Sequence, residues 1–203
     1  MRSAIDTVHV STAPANIEIS QAFRPRYANP ELTDEHTSAL VRAIRKGEAP
    51  LRSEMPVEQV AFRDDVHVAP VILCGFLCVS DEIAKCFEGF DLGSGYLHRI
   101  PFLNQNGKTI GNYSIVVFGN RREAFLPEQS PNTSKSPYSK TQWSTPFVTK
   151  DDDITVKAES VSPPDMWVDP RLLQTFFVSG RLAATLTESG HAGSLQLSRC
   201  RIS

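Results

Sequence analysis

Apolar positions along this chain fall into short alternations, helical spacings and one continuous run, and each change of pattern marks an element. In the first thirty residues the alternation is brief, Val8/Val10 and Ile17/Ile19, and is broken by Pro14, Pro25 and Pro30. Such fragments predict short edge strands and loops lying over a main sheet. From Thr33 the spacing becomes helical. Thr33 stands as N-cap, Asp34 and Glu35 suit the positive end of the helix dipole, Leu40, Ala43 and Ile44 share one face, and Gly47 supplies the stop. Arg42, Arg45 and Lys46 either complement the other end of the dipole or form a basic patch. The most apolar run, 69–79, reads as a buried strand, since it is about half the roughly 20 residues that a membrane-spanning helix requires.

Two segments share one pattern. Leu77, Cys78, Val79 and Ser80 lead into Ile83, Ala84 and Phe87, while Phe176, Phe177, Val178 and Ser179 lead into Leu182, Ala183 and Leu186, at a constant offset of 99. In each, an apolar strand ends at a serine whose hydroxyl can accept from the free amides of the next turn, and apolar residues then recur at helical spacing. Gly89 and Gly190 close the two helices, and outgoing strands begin near Tyr96 and Leu195. The pattern predicts an α+β fold: a mixed, mainly antiparallel sheet with packed helices, containing a strand, Ser-capped helix, strand unit that occurs twice, at 77–100 and 176–197.

Between the two, 100–103 and 113–118 read as the arms of a hairpin that turns at Asn106-Gly107. Gly93-Ser94-Gly95 is a turn, since it follows a helix and lacks the lysine of a phosphate-binding loop. Residues 121–150 are rich in Ser, Thr and Pro and read as one long loop, of the kind that carries binding function or forms an insertion. Its aromatics, Tyr138, Trp143 and Phe147, either pin it to the domain or face a partner, because a solvated linker gains nothing from them. After Asp151, Asp152 and Asp153, the alternation of Ile154, Val156 and Ala158 with Thr155, Lys157 and Glu159 describes a strand with one buried and one wet face.

Composition narrows the function. The 203 residues, 40% of them hydrophobic, suit a single globular domain or one with an appendage, divided here into 1–65, strands and a helix packed on the main domain, and 66–203, the main domain with its loop. Lys and Arg (21) nearly balance Asp and Glu (23), so the field needed to hold nucleic acid or an anionic membrane is lacking. Arg2 and Asp6 at the start, with no secretory apolar stretch after them, point to the cytoplasm. Cys74, Cys78, Cys86 and Cys200 form no Cys-x-x-Cys pair and read as buried hydrophobes in a reducing compartment. His9, His36, His67, His98 and His191 show no ligand spacing, so neither metal nor cofactor is expected. No nucleophile with its base, carboxylate pair, phosphate loop or zinc-protease helix is recognisable, and helix capping accounts for Ser80 and Ser179. The expected activity is therefore protein binding, not catalysis.

The stretch Met166, Trp167, Val168, Asp169, Pro170, Arg171 and Leu172, followed by Phe176 to Ser179, Leu182 and a closing strand over 195–202, resembles a bacterial immunity-protein family of polymorphic toxin systems, first defined on a myxobacterial protein. The middle of the chain, from Phe76 to Ser80 through Gly107-Lys108 and Tyr113, is similar to it as well. The resemblance covers about residues 70–202 and departs at 121–150, where the family's chain is more compact. It implies a protein that neutralises a cognate antibacterial toxin or effector in the cytoplasm by occluding its active site. An adaptor or chaperone that delivers an effector without inhibiting it is the alternative, and an enzyme with an unfamiliar site is a third. Tyr138, Trp143 and Phe147 are the candidate anchors. Asp151, Asp152 and Asp153 either meet a basic cleft on the toxin or merely solvate a loop end. Trp167, Asp169, Pro170 and Arg171 form either an interface or a structural corner. Oligomeric state does not follow from the sequence.

Overall fold

The computed structural model describes residues 6–63, 66 and 68–203, so the charged start at 1–5 and His67 lie outside the described residues. Its strands are β1 (Val8–Ser11), β2 (Phe23–Arg26), β3 (Glu58–Ala61), β4 (Val71–Cys74), β5 (Phe76–Ser80), β6 (Tyr96–Leu103), β7 (Thr109–Val117), β8 (Ser134–Lys135), β9 (Trp143–Ser144), β10 (Thr155–Val156), β11 (Met166–Trp167), β12 (Phe176–Ser179), β13 (Leu197–Arg199) and β14 (Arg201–Ile202). The α-helices are α1 (Asp34–Arg45), α2 (Asp81–Cys86) and α3 (Gly180–Glu188). Six strands join in the order β2-β3-β6-β7-β5-β4 and four in the order β11-β12-β1-β13, while β10 pairs with β14 and β8 with β9. Among the described strand pairs β3–β6 and β10–β14 are parallel and the others antiparallel, so the fold is α+β with mixed, mainly antiparallel sheets and packed helices. Among the described residues no helix is long and apolar enough to cross a membrane.

The six-stranded sheet carries the hairpin expected at Asn106-Gly107. Asn104 organises its turn, its side-chain oxygen accepting from the amides of Asn106 and Lys108 at 3.0 and 2.9 Å, and Gly107 adopts φ 77°. The run 69–79 is not one strand. It folds back at Gly75, where φ is +80°, into the antiparallel pair β4–β5 with Val71 opposite Val79. A side chain at Gly75 would be strained in that left-handed conformation, and both arms are apolar because both are buried. Helix α1 buries Leu40 and Ile44 as its spacing predicts, although the Thr33 side chain makes no capping bond.

The four-stranded sheet corrects the reading of the N-terminal segment. β1 is no edge strand lying over a sheet: it runs between β12 and β13, pairing Val8 with Ser179 and His9 with Arg199. β2 and β3 likewise belong to the larger sheet, with Pro25 on its edge strand, so the described residues of the 1–65 segment contribute strands to both sheets and do not pack on a finished domain. Ile17–Ile19, expected as a strand, is a 3-10 turn capped by the Asn16 side chain, with Ile17 exposed.

Both faces of the smaller sheet are covered. Phe176 and Val178 join α2, α3 and the larger sheet in one core, where Phe118 and Phe176 stack at 4.8 Å. Phe177, Val8 and Val10 face the other way, into a second core completed by Ala124, Phe125, Ile154, Val156, Trp167, Leu172 and Cys200. Four of its ten residues, Ala124, Phe125, Ile154 and Val156, come from the 121–156 region, and Trp143 packs against them. The long loop is therefore a covering layer, which explains why β12 reads as an unbroken apolar run. The strand after it is shorter than its alternation suggests. Thr155, expected on a wet face, is buried, its hydroxyl donating to the Gln129 carbonyl at 2.6 Å, and 158–161 turns into a 3-10 helix.

Candidate functional site

The loop at 121–150 is anchored at several points before it reaches solvent. Arg121 bridges to Val168 and Phe125 to Val156, both through the backbone. Further on, β8 and β9 form a small hairpin, Ser134 opposite Ser144 and Lys135 opposite Trp143. Trp143 locks this hairpin to the body. Its amide donates to the Arg171 carbonyl at 2.7 Å, its carbonyl accepts from Leu173 at 2.8 Å, and its ring meets Phe125 edge-on at 6.3 Å. The two readings of the loop aromatics thus divide by residue. Trp143 pins, whereas Tyr138, at the connection of the hairpin, is 96% exposed and Phe147, just past β9, is fully exposed beside a largely exposed Val148.

The three aspartates hold the base of the loop. Asp151 Oδ1 accepts from the Arg199 amide at 2.8 Å, and Asp152 Oδ2 pairs with the Arg199 guanidinium at 2.9 Å. Asp153 accepts from the Asn132 side chain at 2.6 Å and from the Lys150 amide at 2.8 Å. Each carboxylate has a partner within the chain, while Asp151 stays exposed and Asp152 and Asp153 half-buried. Asp151 and Asp152 fasten the end of the loop to β13, and Asp153 ties back to Asn132 and Lys150.

The Trp-x-Asp-Pro-Arg segment forms a corner under the second core. Trp167 is fully buried, stacked on Phe177 at 5.6 Å, with the Arg122 guanidinium 4.9 Å from its ring. Asp169 Oδ2 accepts from the Phe125 amide at 2.8 Å and from Arg171 Nη2 at 2.7 Å; its Oδ1 accepts from the Arg171 amide and Nε, both at 3.0 Å. Arg171 Nη2 also donates to the Phe125 carbonyl at 2.8 Å. Pro170 occupies the turn that Leu172 closes onto the Asp169 carbonyl at 3.0 Å, the position where its fixed φ fits best. Hydrogen bonding to Asp169 raises the Arg171 guanidinium above its usual range. These residues point at each other and at the loop, and the corner positions the loop.

No protein-family model matches the chain, and no curated protein does. The resemblance to immunity proteins therefore rests on the quoted residues alone.

The two serines behave differently. Ser179 caps α3, accepting from Leu182 at 3.3 Å, and donates to Asp165 at 2.5 Å. Ser80 occupies the equivalent place before α2 but caps no amide; the nearby Ser80 hydroxyl is the chief influence holding the Glu82 carboxyl below its usual range. Reading by pattern missed the buried Asp165. It accepts from the Asp91 amide at 2.9 Å and from Arg181 at 3.0 Å with both oxygens, tying the turn after α2 to the start of α3. It also missed Asn120, whose side chain bonds to Ser94, Leu92 and Met166. Neither residue lies in a recognisable motif. The four cysteines are free and buried, and burial pushes the Cys78 and Cys200 thiols well above their usual range.

Elsewhere an open groove of about 540 Å³ runs beside α2 and β6, lined by Arg52, Lys85, Phe90, Tyr96 and Arg99. Its principal cations are engaged: Arg99 pairs with Asp81 at 2.6 Å and Arg52 lies over Tyr96 at 4.2 Å. None of the sequence-predicted site residues lines it. Among the described residues no cluster of three His, Cys, Asp or Glu side chains is placed to hold a metal.

Proposed function

We propose that this protein is an immunity protein that binds a cognate antibacterial toxin in the cytoplasm and blocks its active site. The observation that carries the reading is the pair of exposed aromatics, Tyr138 and Phe147, held out by an anchored loop. Exposed large aromatics are costly on a surface that meets only water, and they are the side chains most often found as binding anchors. Anchoring by Trp143 and by the three aspartates reduces the ordering entropy lost on association, so more of the contact energy appears as affinity. The resemblance over 70–202 names the kind of partner.

The twofold pattern in the sequence belongs to the same reading. β5 and β6 flank β7 antiparallel with α2 between them in the chain, and β12 and β13 flank β1 antiparallel with α3 between them. We read these as two copies of one strand, helix, strand unit whose middle strand is supplied from a different part of the chain. That frame is scaffold; specificity resides in the loop laid over the second copy.

Co-expression with the product of the adjacent toxin gene tests the function. An immunity protein forms a complex and restores growth, and Tyr138→Ala with Phe147→Ala weakens the complex about 100-fold, as expected for two anchors. A complex that leaves toxicity intact identifies an adaptor instead, and absence of any complex removes the reading.

A further inference from the structure

The loop is basic as well as aromatic. From Gln129 to Lys150 the sequence contains Lys135, Lys140 and Lys150 and no acidic residue, a segment of net charge +3 in a chain of net charge −2, which leaves −5 on the rest. All three lysines are exposed, and among the described residues none takes part in an ion pair. Of the aspartates that follow in the chain, Asp152 is paired with Arg199 and none forms an ion pair with a lysine; Asp151 and Asp153 bond to neutral groups, the Arg199 and Lys150 amides and Asn132, so their charge stays at the base of the loop. The loop therefore presents Tyr138, Phe147 and Val148 among unpaired ammonium groups on an otherwise acidic body.

We infer that the 133–150 loop docks on an acidic protein surface, its aromatics entering an apolar recess ringed by Asp and Glu side chains of the toxin. This rests on the function proposed above and reverses the polarity expected from the aspartates: the partner face is carboxylate-rich, not basic. Charge complementarity favours a protein over the other polyanions. Three lysines fall short of the four to eight clustered cations that hold an anionic membrane. The surplus negative charge of the body opposes approach to the continuous charge of a nucleic acid. A folded protein offers a local acidic patch that three lysines can match while the body stays clear of it.

The test uses the full chain and the product of the adjacent toxin gene, with association measured at 50 and at 500 mM NaCl. The expected result is an association rate that falls about tenfold or more at the higher salt. The variant Lys135→Glu/Lys140→Glu/Lys150→Glu, with an unchanged melting temperature, binds about 100-fold more weakly. Tyr138→Ala/Phe147→Ala loses affinity at both salt concentrations. A wild-type complex indifferent to the triple reversal overturns the acidic-partner assignment alone, and no wild-type complex removes it together with the functional reading. Parallel arms use vesicles of 30% phosphatidylserine and a 20-bp duplex DNA. Binding to either that the triple reversal abolishes also overturns the assignment to a protein.

Discussion

Replacing Asp169 by alanine removes the acceptor that joins the loop to the corner beneath it, and the cost can be worked from its four bonds. One comes from the buried Phe125 amide and three from Arg171. Leaving the Phe125 N–H buried without an acceptor costs about 1–3 kcal/mol, and loss of a charge-assisted hydrogen bond costs about 1.5–3 kcal/mol. The arginine side chain keeps 29% of its surface exposed, so its freed charge reaches water and the total stays below the roughly 5 kcal/mol of a fully buried pair. The expected loss is about 3 kcal/mol. Asp169→Asn should lose nearly as much, because the amide has one acceptor oxygen where Asp169 uses two and its NH2 would face donors. Urea unfolding followed by the fluorescence of buried Trp167 measures both. In a double-mutant cycle with Arg171→Met, the pair should couple by about 1–2 kcal/mol. A loss below about 1 kcal/mol for Asp169→Ala would mean that the corner does not hold the loop.

Two further outcomes follow from buried polar groups. Gln59 is buried on β3 and neither its amide oxygen nor its nitrogen has a hydrogen-bond partner, so Gln59→Met should raise stability by about 1 kcal/mol in the same assay; a loss of stability would show that the amide is satisfied. Burial lowers the pKa of both His9 and His98; for His9 the Asp151 charge opposes this and the Arg199 charge adds to it, and for His98 the bond to the Pro56 carbonyl opposes it and Arg52 adds to it. The unfolded chain then binds protons more readily, so the contribution of these histidines is fully present above the unfolded pKa of about 6.5. It falls as pH drops below that value and levels off beneath the folded pKa. Urea midpoints measured between pH 7.5 and 5.5 should decline, and His9→Leu/His98→Gln should flatten the decline; an unchanged slope in that variant would contradict the assignment.

Local punctuation was legible where each element makes its own case. Asn106-Gly107 announces a tight turn whatever surrounds it, and the spacing of Leu40 and Ile44 gives the buried face of α1. The place of β1 was not legible, because its centrality comes from pairing with strands about 170 and 190 residues away. Its sequence also carries polar residues, the half-buried His9 and the buried Ser11, that make it look like an edge. Gly75 was a visible signal, since an isolated glycine within an apolar run marks a bend. The candidate site divides in the same way. Composition singled out the aromatics of the loop, but charge type alone could not say which charged residues face outward. The aspartates form the more conspicuous cluster, yet backbone amides and Arg199 satisfy them, and the dispersed lysines are left facing solvent.

The most direct test of the account measures growth and complex formation together, in cells expressing the adjacent toxin with either the wild-type protein or Tyr138→Ala/Phe147→Ala. Both proteins should melt at the same temperature, because the two side chains touch mainly water. The account predicts that the wild type binds and rescues while the double variant fails at both. Full rescue and wild-type affinity from the double variant would contradict it and move the interface off the loop.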